Sequence, residues 1–329
     1  MNKTAAISGV TGQLGSYLAE LLLAKNYKVI GLKRRTSTNN STYRIDHLLN
    51  NENFELKYVD INDVSSLYQL FNNNKIDLCF HMAAQSHVRI SFDLPEETLK
   101  TNVLGTLNIL NAIKECSPET KLLHMASSEM FGNNPNTPYY ENSEFAPVSP
   151  YGISKVAAYQ LVRNYRKSYN LFLSNAIAFN YESPRRGENF ASKKISLGVA
   201  RIKAGFQKEL VLGNLNAYRD FSFAKDIAEG CYNILQLKEP EDLILSSGET
   251  YSIRSYLEET FNAAGFNQNE WKKYVRINPI YFRPQEVDFL LGSSNKAKSL
   301  IDWDPKVKFK ELVKLMYEYE WNLLNDRKF

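Results

Sequence analysis

"SGVTGQLGSYLAELLL", residues 8–23, carries glycines at 9, 12 and 15 that run straight into leucines at 14, 18, 21 and 22 with helical spacing. The apolar run "KTAAIS" (3–8) precedes it. A strand, a glycine turn and a helix in that order are the context in which three glycines hold a dinucleotide. Gly9 permits a tight turn, Gly12 lets backbone approach a pyrophosphate, and Gly15 lets the helix pack close to a sheet. Backbone N–H groups at the helix start then favour an anion. A glycine turn that only packs is the plainer alternative, and the flanking strand and helix weigh against it.

Outward from this loop, short apolar runs alternate with helical patterns. "KVIGL" (28–32), "FELKYVDI" (54–61), "IDLCFHMAA" (76–84), "TKLLHMASS" (120–128) and "LFLSNAIAFN" (171–180) read as strands. Residues 64–74, 98–116 and 151–170 read as helices between them. Such alternation predicts an α/β fold, a doubly wound parallel sheet of Rossmann type over residues 1–180. After residue 180 the alternation breaks into stretches rich in Arg, Tyr, Asn and Pro. Residues 181–221 and 249–329 are expected to form a smaller, mixed α/β substrate domain. A segment near 222–248, containing "EDLILSS" (241–247), is expected to return to the sheet.

Composition narrows the function class. The 329 residues are 43% hydrophobic and 23% charged, with a net charge of +4, ordinary for a globular protein and too weakly basic for a nucleic-acid partner. Cys79, Cys116 and Cys231 are odd in number and widely spaced, so they are expected as buried small side chains rather than a disulfide or zinc framework. The histidines at 47, 81, 87 and 124 form no ligand-spaced group, and no metal is expected. No apolar run is long enough to span a membrane and no signal segment opens the chain, which predicts a cytoplasmic protein.

The turn after the second strand points to the cofactor. An NAD-preferring site places a carboxylate there for the ribose 2′-hydroxyl. Here Lys33, Arg34 and Arg35 stand in its place, and the first acid beyond them is Asp46. Guanidinium groups bind a 2′-phosphate, so NADP is expected; a solvated basic turn is the alternative. Tyr151 and Lys155, four apart on a helical pattern, share one face. An ammonium beside a phenol makes the tyrosine usable as a base. Ser127 and Glu129 end the fifth strand in "ASSEMFG" (126–132). They suit either a helix cap or catalysis, with Glu129 able to take a carbon-bound proton next to a ketone.

The stretches "SGVTGQLGSYLAELLL", "GLKRRTSTNN", "YRIDHL", "AAQSHVRISFD", "ASSEMFG", "SPYGISK", "AFNYESPRRGENF", "RDFSFAKD" and "RPQEV" together resemble extended short-chain dehydrogenase/reductases, and within them the GDP-mannose 4,6-dehydratases. The likeness runs from near residue 7 to about 305. It implies a catalytic set of Ser127, Glu129, Tyr151 and Lys155. In the implied cycle Tyr151, aided by Lys155, removes the C4 hydroxyl proton while hydride passes from C4 to NADP⁺. Glu129 takes the C5 proton, and water leaves from C6 with Glu129 or Ser127 helping. Hydride then returns to C6, giving a 4-keto-6-deoxy sugar nucleotide. The resemblance further implies that Arg34, Arg35, Thr36 and Ser37 meet the 2′-phosphate, and that Asp60 and Ile61 meet the adenine. It sets Thr11, Gln13 and Leu14 of the glycine loop, Ala83, Ala84, Gln85 and Ser86, Tyr151, Lys155, Tyr181 and Arg186 along the cofactor. For the GDP-sugar it implies Gln85, Ser86, Ser127, Glu129, Asn180, Lys194, Arg219, Arg283 and Glu286. A homo-oligomer, tetramer or dimer, is implied by the arginine-rich loop.

Several positions depart from the family pattern. Leu14 replaces an acid in the glycine loop, Ser127 a threonine, Glu97 a tyrosine and Tyr181 a histidine, while Phe221 and Phe223 change the substrate wall. A close relative of GDP-mannose, such as a GDP-manno-heptose, fits the same scheme. A 4-epimerase or 4-dehydrogenase on this scaffold would need Tyr151 but not Glu129.

Overall fold

Seven parallel strands form one sheet in the computed structural model, which describes residues 2–37 and 41–326. β1 (Thr4–Ser8), β2 (Lys28–Lys33), β3 (Phe54–Tyr58), β4 (Leu78–His81), β5 (Lys121–Ser127) and β6 (Leu173–Ala178) are joined by the edge strand Asp242–Leu245. Their order is Asp242–Leu245, β6, β5, β4, β1, β2, β3. The chain therefore starts mid-sheet and winds outward in both directions, as the alternating pattern predicts. The reversal between β1 and β4 opens a crevice beyond their carboxyl ends, where such folds bind ligands.

The strands bury both faces, which is why they read as unbroken apolar runs. Ala5 and Ile7 face one core with Leu14, Leu18, Leu22, Ile227 and Cys231. Ala6, between them, faces the other core with Ile30, Ile109, Ile113 and Val162. This period-two exchange puts helices Gln13–Ala24 and Ala224–Ile234 on one side, and Val64–Asn73, Gly105–Cys116 and Pro150–Tyr169 on the other. Rim strand β3 is more exposed, and Glu55 there pairs with Lys28 at 3.3 Å and Lys57 at 3.1 Å. Charges of this kind discourage edge-to-edge association.

A separate core gathers helices Ala191–Lys203, Ile253–Ala263 and Phe309–Asp326 through Val199, Leu257, Phe261, Leu312 and Met316. The Tyr251 and Phe309 rings stack there with centroids 3.8 Å apart.

Three details differ from the sequence reading. The helical pattern at 98–116 is not one α-helix: it starts at Pro95 and passes through a π-helical stretch, Lys100–Leu104, before Gly105–Cys116. Residues 295–303 pack on the sheet side rather than with the rest of 249–329, because Ala297 and Trp303 join the first core and Trp303 Nε1 donates to the Asp226 carbonyl at 2.8 Å. Cys79 and Cys231 are buried, but Cys116 is only partly so, since it ends its helix.

Candidate active site

The glycine loop is shaped by close backbone contact. Gly9 adopts φ +71°, and an added Cβ would sit 2.9 Å from the Ala83 backbone. A Cβ on Gly15 would collide with the Gly9 carbonyl. The Gly12 N–H closes the turn on Gly9 O at 2.9 Å. Helix Gln13–Ala24 then begins with no side-chain cap, so its first N–H groups lack a side-chain partner.

A cleft of about 650 Å³ opens above this loop. Its walls include Gly9, Thr11, Gly12, Gln13, Leu14 and Gly15, then Arg34 and Thr36, Asp60 and Ile61, and Ala83, Ala84, Gln85 and Ser86. Tyr181 and Arg186 close it. Four expected residues stand outside this lining, of which Tyr151 and Lys155 line the adjoining cleft. Arg35 sets its guanidinium 5.3 Å from the Tyr58 ring centre instead, and Ser37 is exposed. Gln13 holds the loop to the neighbouring segment, since its Nε2 donates to Tyr181 O at 3.1 Å and its Oε1 accepts from Ser183 Oγ at 2.6 Å.

A second cleft of about 280 Å³ adjoins the first, and Met82, Ala84, Ser86, Tyr181, Arg186 and Phe190 line both. Ser127, Glu129, Tyr151, Lys155, Asn180, Lys194, Arg219, Arg283 and Glu286 all line it. Local sequence explains how the first four converge. Ser149 caps helix Pro150–Tyr169 by accepting from the Gly152 N–H at 3.0 Å, and Pro150 occupies its first position. Tyr151 therefore sits in the first turn and Lys155 one turn later, both buried. β5 ends at Ser127, whose hydroxyl accepts from the Glu129 N–H at 3.3 Å and so caps the short turn Ser128–Met130. Ser127 also hydrogen-bonds Tyr151. Capping and a place in the site thus coincide in one residue.

The electrostatics correct one expectation. Burial pushes the Tyr151 phenol up, and the largest opposing influence is the Ser127 hydrogen bond rather than the Lys155 ammonium. Lys155 Nζ donates to the Met125 carbonyl at 2.7 Å and lies 6.0 Å from the Tyr151 ring centre. Burial also pulls the Lys155 ammonium down from 10.5 to about 8. That shift penalises the charged form by roughly 3 kcal/mol, while removing the ammonium would leave the Met125 carbonyl without its donor, at about 1 kcal/mol. The penalty is fully present below pH 8 and disappears as pH rises from 8 to 10.5. Lys155→Met is therefore expected to stabilise the fold by about 2 kcal/mol at pH 7 in chemical denaturation. Its advantage should fade toward pH 10.5. A variant less stable than the parent at pH 7 would show the ammonium to be well accommodated.

Glu129 is 6% exposed. Its Oε1 lies 3.4 Å from Arg283 Nη1, while its Oε2 is buried with no hydrogen-bond partner among the described residues. Arg283 also pairs with Glu286 at 2.9 Å, and Glu286 with Arg219 at 2.8 Å. The Asn180 Oδ1 is likewise buried without a partner. One substrate assignment does not hold in this geometry. Gln85 does not line the second cleft: its amide is bound to the His87 carbonyl and Thr98 hydroxyl, and its Oε1 to the His87 N–H. Arg219 lines the second cleft and is 4% exposed, with Nη1 donating to the Tyr218 and Val287 carbonyls and Nη2 to Glu286.

Arg44, Asn62 and Asn102 escape a sequence reading. Arg44 lines the first cleft and donates to Thr11 O at 3.2 Å and Arg185 O at 2.7 Å. Asn62, next to Asp60 and Ile61, has a buried Oδ1 without a partner. Asn102, in the π-helical stretch, binds the Gln85 backbone and the Ser154 hydroxyl, tying the 83–86 segment to the helix that carries Tyr151. Only adjacency to Asp60 and Ile61 could have singled out Asn62. Arg44 and Asn102 depend on packing. Among the described residues no group of three or more His, Cys, Asp or Glu side chains is placed to hold a metal ion, and no helix is long and apolar enough to cross a membrane.

A family model described as GDP-mannose 4,6 dehydratase matches residues 6–316. GDP-mannose 4,6 dehydratase 2 of Arabidopsis thaliana is 43% identical over 336 residues, covering 99% of this chain and 89% of the relative. The GDP-mannose 4,6 dehydratase of Homo sapiens is 43% identical over 342 residues, covering 97% and 92% respectively. Among solved structures, UDP-glucose 4-epimerase of Thermotoga maritima superposes with a TM-score of 0.85 at 22% identity, covering 98% of this chain and 99% of that one. That likeness is one of fold.

Proposed function

The chain belongs to the GDP-mannose 4,6-dehydratase family, and on that premise we propose that it removes water from a GDP-hexose, GDP-mannose or a close relative such as a GDP-manno-heptose, to give the 4-keto-6-deoxy sugar nucleotide. One observation carries the reading beyond the family: a buried carboxylate with a free oxygen, Glu129 Oε2, lines the same cleft as Ser127 and Tyr151.

The first cleft fits a nicotinamide dinucleotide, because the glycine loop forms a cradle that a Cβ at Gly9 or Gly15 would fill. Its anion-ready helix start suits the pyrophosphate. Arg34, with Arg44 and Thr36 in the same wall and no acid at the end of β2, supports NADP over NAD. Asp60, Ile61 and Asn62 would meet the adenine. When bound, the nicotinamide accepts a hydride from sugar C4 and returns it to C6.

The chain's own groups handle the protons. Tyr151 Oη takes the C4 hydroxyl proton, with Ser127 holding both the phenol and the sugar. Glu129 Oε2 takes the C5 proton, whose electron pair becomes the C5=C6 bond as the C6 hydroxyl departs. The proton on Glu129 goes with that hydroxyl as water. C5 finally regains one proton, the equivalent of the one Tyr151 removed. Lys155 keeps a positive charge beneath the phenol. Asn180 and Lys194 are proposed to bind the sugar nucleotide, Lys194 at its diphosphate. Phe221 lines the cleft and is anchored by the Tyr256 ring at 5.3 Å, so this part of the wall is rigid. A homo-oligomer, dimer or tetramer, and a cytoplasmic location remain part of the proposal on the strength of the sequence resemblance.

Incubation with GDP-, UDP-, CDP- and dTDP-sugars, read by mass spectrometry, tests the activity. Loss of one water from a GDP-hexose is expected, and absence of dehydration across the GDP-sugars would overturn it. For the cofactor, Arg34→Asp is expected to shift the NADP⁺ to NAD⁺ affinity ratio toward NAD⁺ by roughly 10- to 100-fold, the value of losing a charge-assisted contact. An unchanged ratio in titrations would remove Arg34 from the 2′-phosphate.

A further inference from the structure

Arg186 and Gly187 bring the turn at residues 183–187 into the wall of the first cleft. Ser183 Oγ donates to Gln13 Oε1 at 2.6 Å and accepts from the Arg185 N–H at 3.1 Å. The Arg186 N–H closes the turn on the Ser183 carbonyl at 2.9 Å, and the Arg185 carbonyl accepts from Arg44 Nε at 2.7 Å. Three side chains of the cleft, Gln13, Arg44 and Arg186, therefore take their places from this turn. At its centre Pro184 has no N–H to donate, and its carbonyl accepts from Lys193 Nζ at 2.7 Å. Lys193 lies in the first turn of helix Ala191–Lys203 and is 6% exposed. Its ammonium pairs with Glu320 of helix Phe309–Asp326, which is 4% exposed. Neither side chain lines either cleft. The adjacent Ser192 Oγ donates to Glu182 Oε2 at 2.6 Å, and that carboxylate lies 3.2 Å from Arg186 Nε. One helical turn thus grips the segment on both sides of Ser183.

We propose that Lys193 and Glu320 are positioning residues for the cofactor: the pair fixes the Pro184 carbonyl from behind, and so sets Arg186 and the Gln13 end of the glycine loop before the dinucleotide arrives. The proposal rests on the dinucleotide reading of the first cleft. A buried ion pair is a poor way to join two helices, since apolar side chains of similar size usually do so at no loss of stability. These two helices already share a core through Val199, Leu312 and Met316. What an aliphatic pair cannot do is donate to a buried carbonyl. Glu320 keeps the ammonium charged at a site closed to water, and the ammonium keeps the turn in place. A wall set in advance spares the ligand the cost of ordering it on binding.

The test removes both charges together in the double variant Lys193→Met, Glu320→Leu. Its melting temperature is expected at or above the parent's, as for other buried pairs replaced by apolar side chains, while the Pro184 carbonyl loses its donor. NADPH affinity, read by fluorescence titration, is expected to fall roughly tenfold, the value of about one misplaced hydrogen bond. The loss should lie chiefly in faster dissociation. GDP affinity, read by calorimetry, should stay within about twofold of the parent. An NADPH affinity within twofold of the parent, or equal losses of NADPH and GDP affinity, would overturn the proposal. Hydrogen exchange on the parent enzyme gives a second reading that needs no variant. The Arg185 and Arg186 amides should be protected before NADPH is added; free exchange there without the nucleotide would overturn the proposal even if the double variant failed to fold. Failure of the parent to bind either NADPH or NADH would instead overturn the dinucleotide reading, so the two failures are distinct.

Discussion

Glu129→Gln is expected to lower formation of the 6-deoxy product by about 1,000-fold, the contribution of a well-placed general base, while leaving cofactor and GDP-sugar affinity within a few-fold of the parent. The amide matches the carboxylate in size but cannot take a proton from C5. Oxidation at C4 does not need that carboxylate, so the variant should still generate the ketone and exchange hydride at C4. The side chain is 6% exposed and its Oε2 has no partner among the described residues, so that oxygen is not already committed to another group. Product mass spectrometry together with cofactor titration checks this. Dehydration within tenfold of the parent would show that another group removes the C5 proton.

Tyr151→Phe is expected to cost about 1,000-fold or more, and to fail at an earlier step. Loss of one hydroxyl leaves the ring packing and the helix start at Ser149 and Pro150 intact. The C4 hydroxyl then has no phenolate to receive its proton, and Ser127 loses its partner. No C4 oxidation should appear at all, in contrast to Glu129→Gln. Transfer of deuterium from C4-deuterated GDP-mannose to the nicotinamide separates the two variants. If Tyr151→Phe still exchanged hydride at C4 at the parent rate, the proton would have to leave through Ser127.

Much of the sheet was legible because strands buried on both faces read as apolar runs, and because helix Gln13–Ala24 follows its glycines at once. Tyr151 and Lys155 were legible as a pair because a spacing of four on a helical pattern is a local signal, and the helix Pro150–Tyr169 forms there. What the sequence withheld depends on partners distant in the chain. The π-helical turn at Lys100–Leu104 has no pattern of its own, so Asn102 and its link to Ser154 could not be foreseen. Gln85 looks like a sugar ligand by residue type, yet its amide is held by the Thr98 hydroxyl, which only the fold brings near. The expected lowering of the Tyr151 phenol by Lys155 fails for a related reason: burial outweighs a neighbour whose ammonium is bound to Met125. Trp303 shows the same limit for domain boundaries, since a single indole N–H bond to Asp226 ties a late segment to the sheet side.

The claim on which the mechanism turns is that one hydrogen leaves sugar C4 and is set down on C6 while Glu129 clears C5. The direct measurement uses GDP-mannose deuterated at C4, turned over by the intact enzyme in ordinary water. The product should lack one water and carry the deuterium in its C6 methyl group. Deuterium retained at C4, or a product of unchanged mass, would reduce the chemistry to epimerisation or simple oxidation and contradict the dehydratase mechanism.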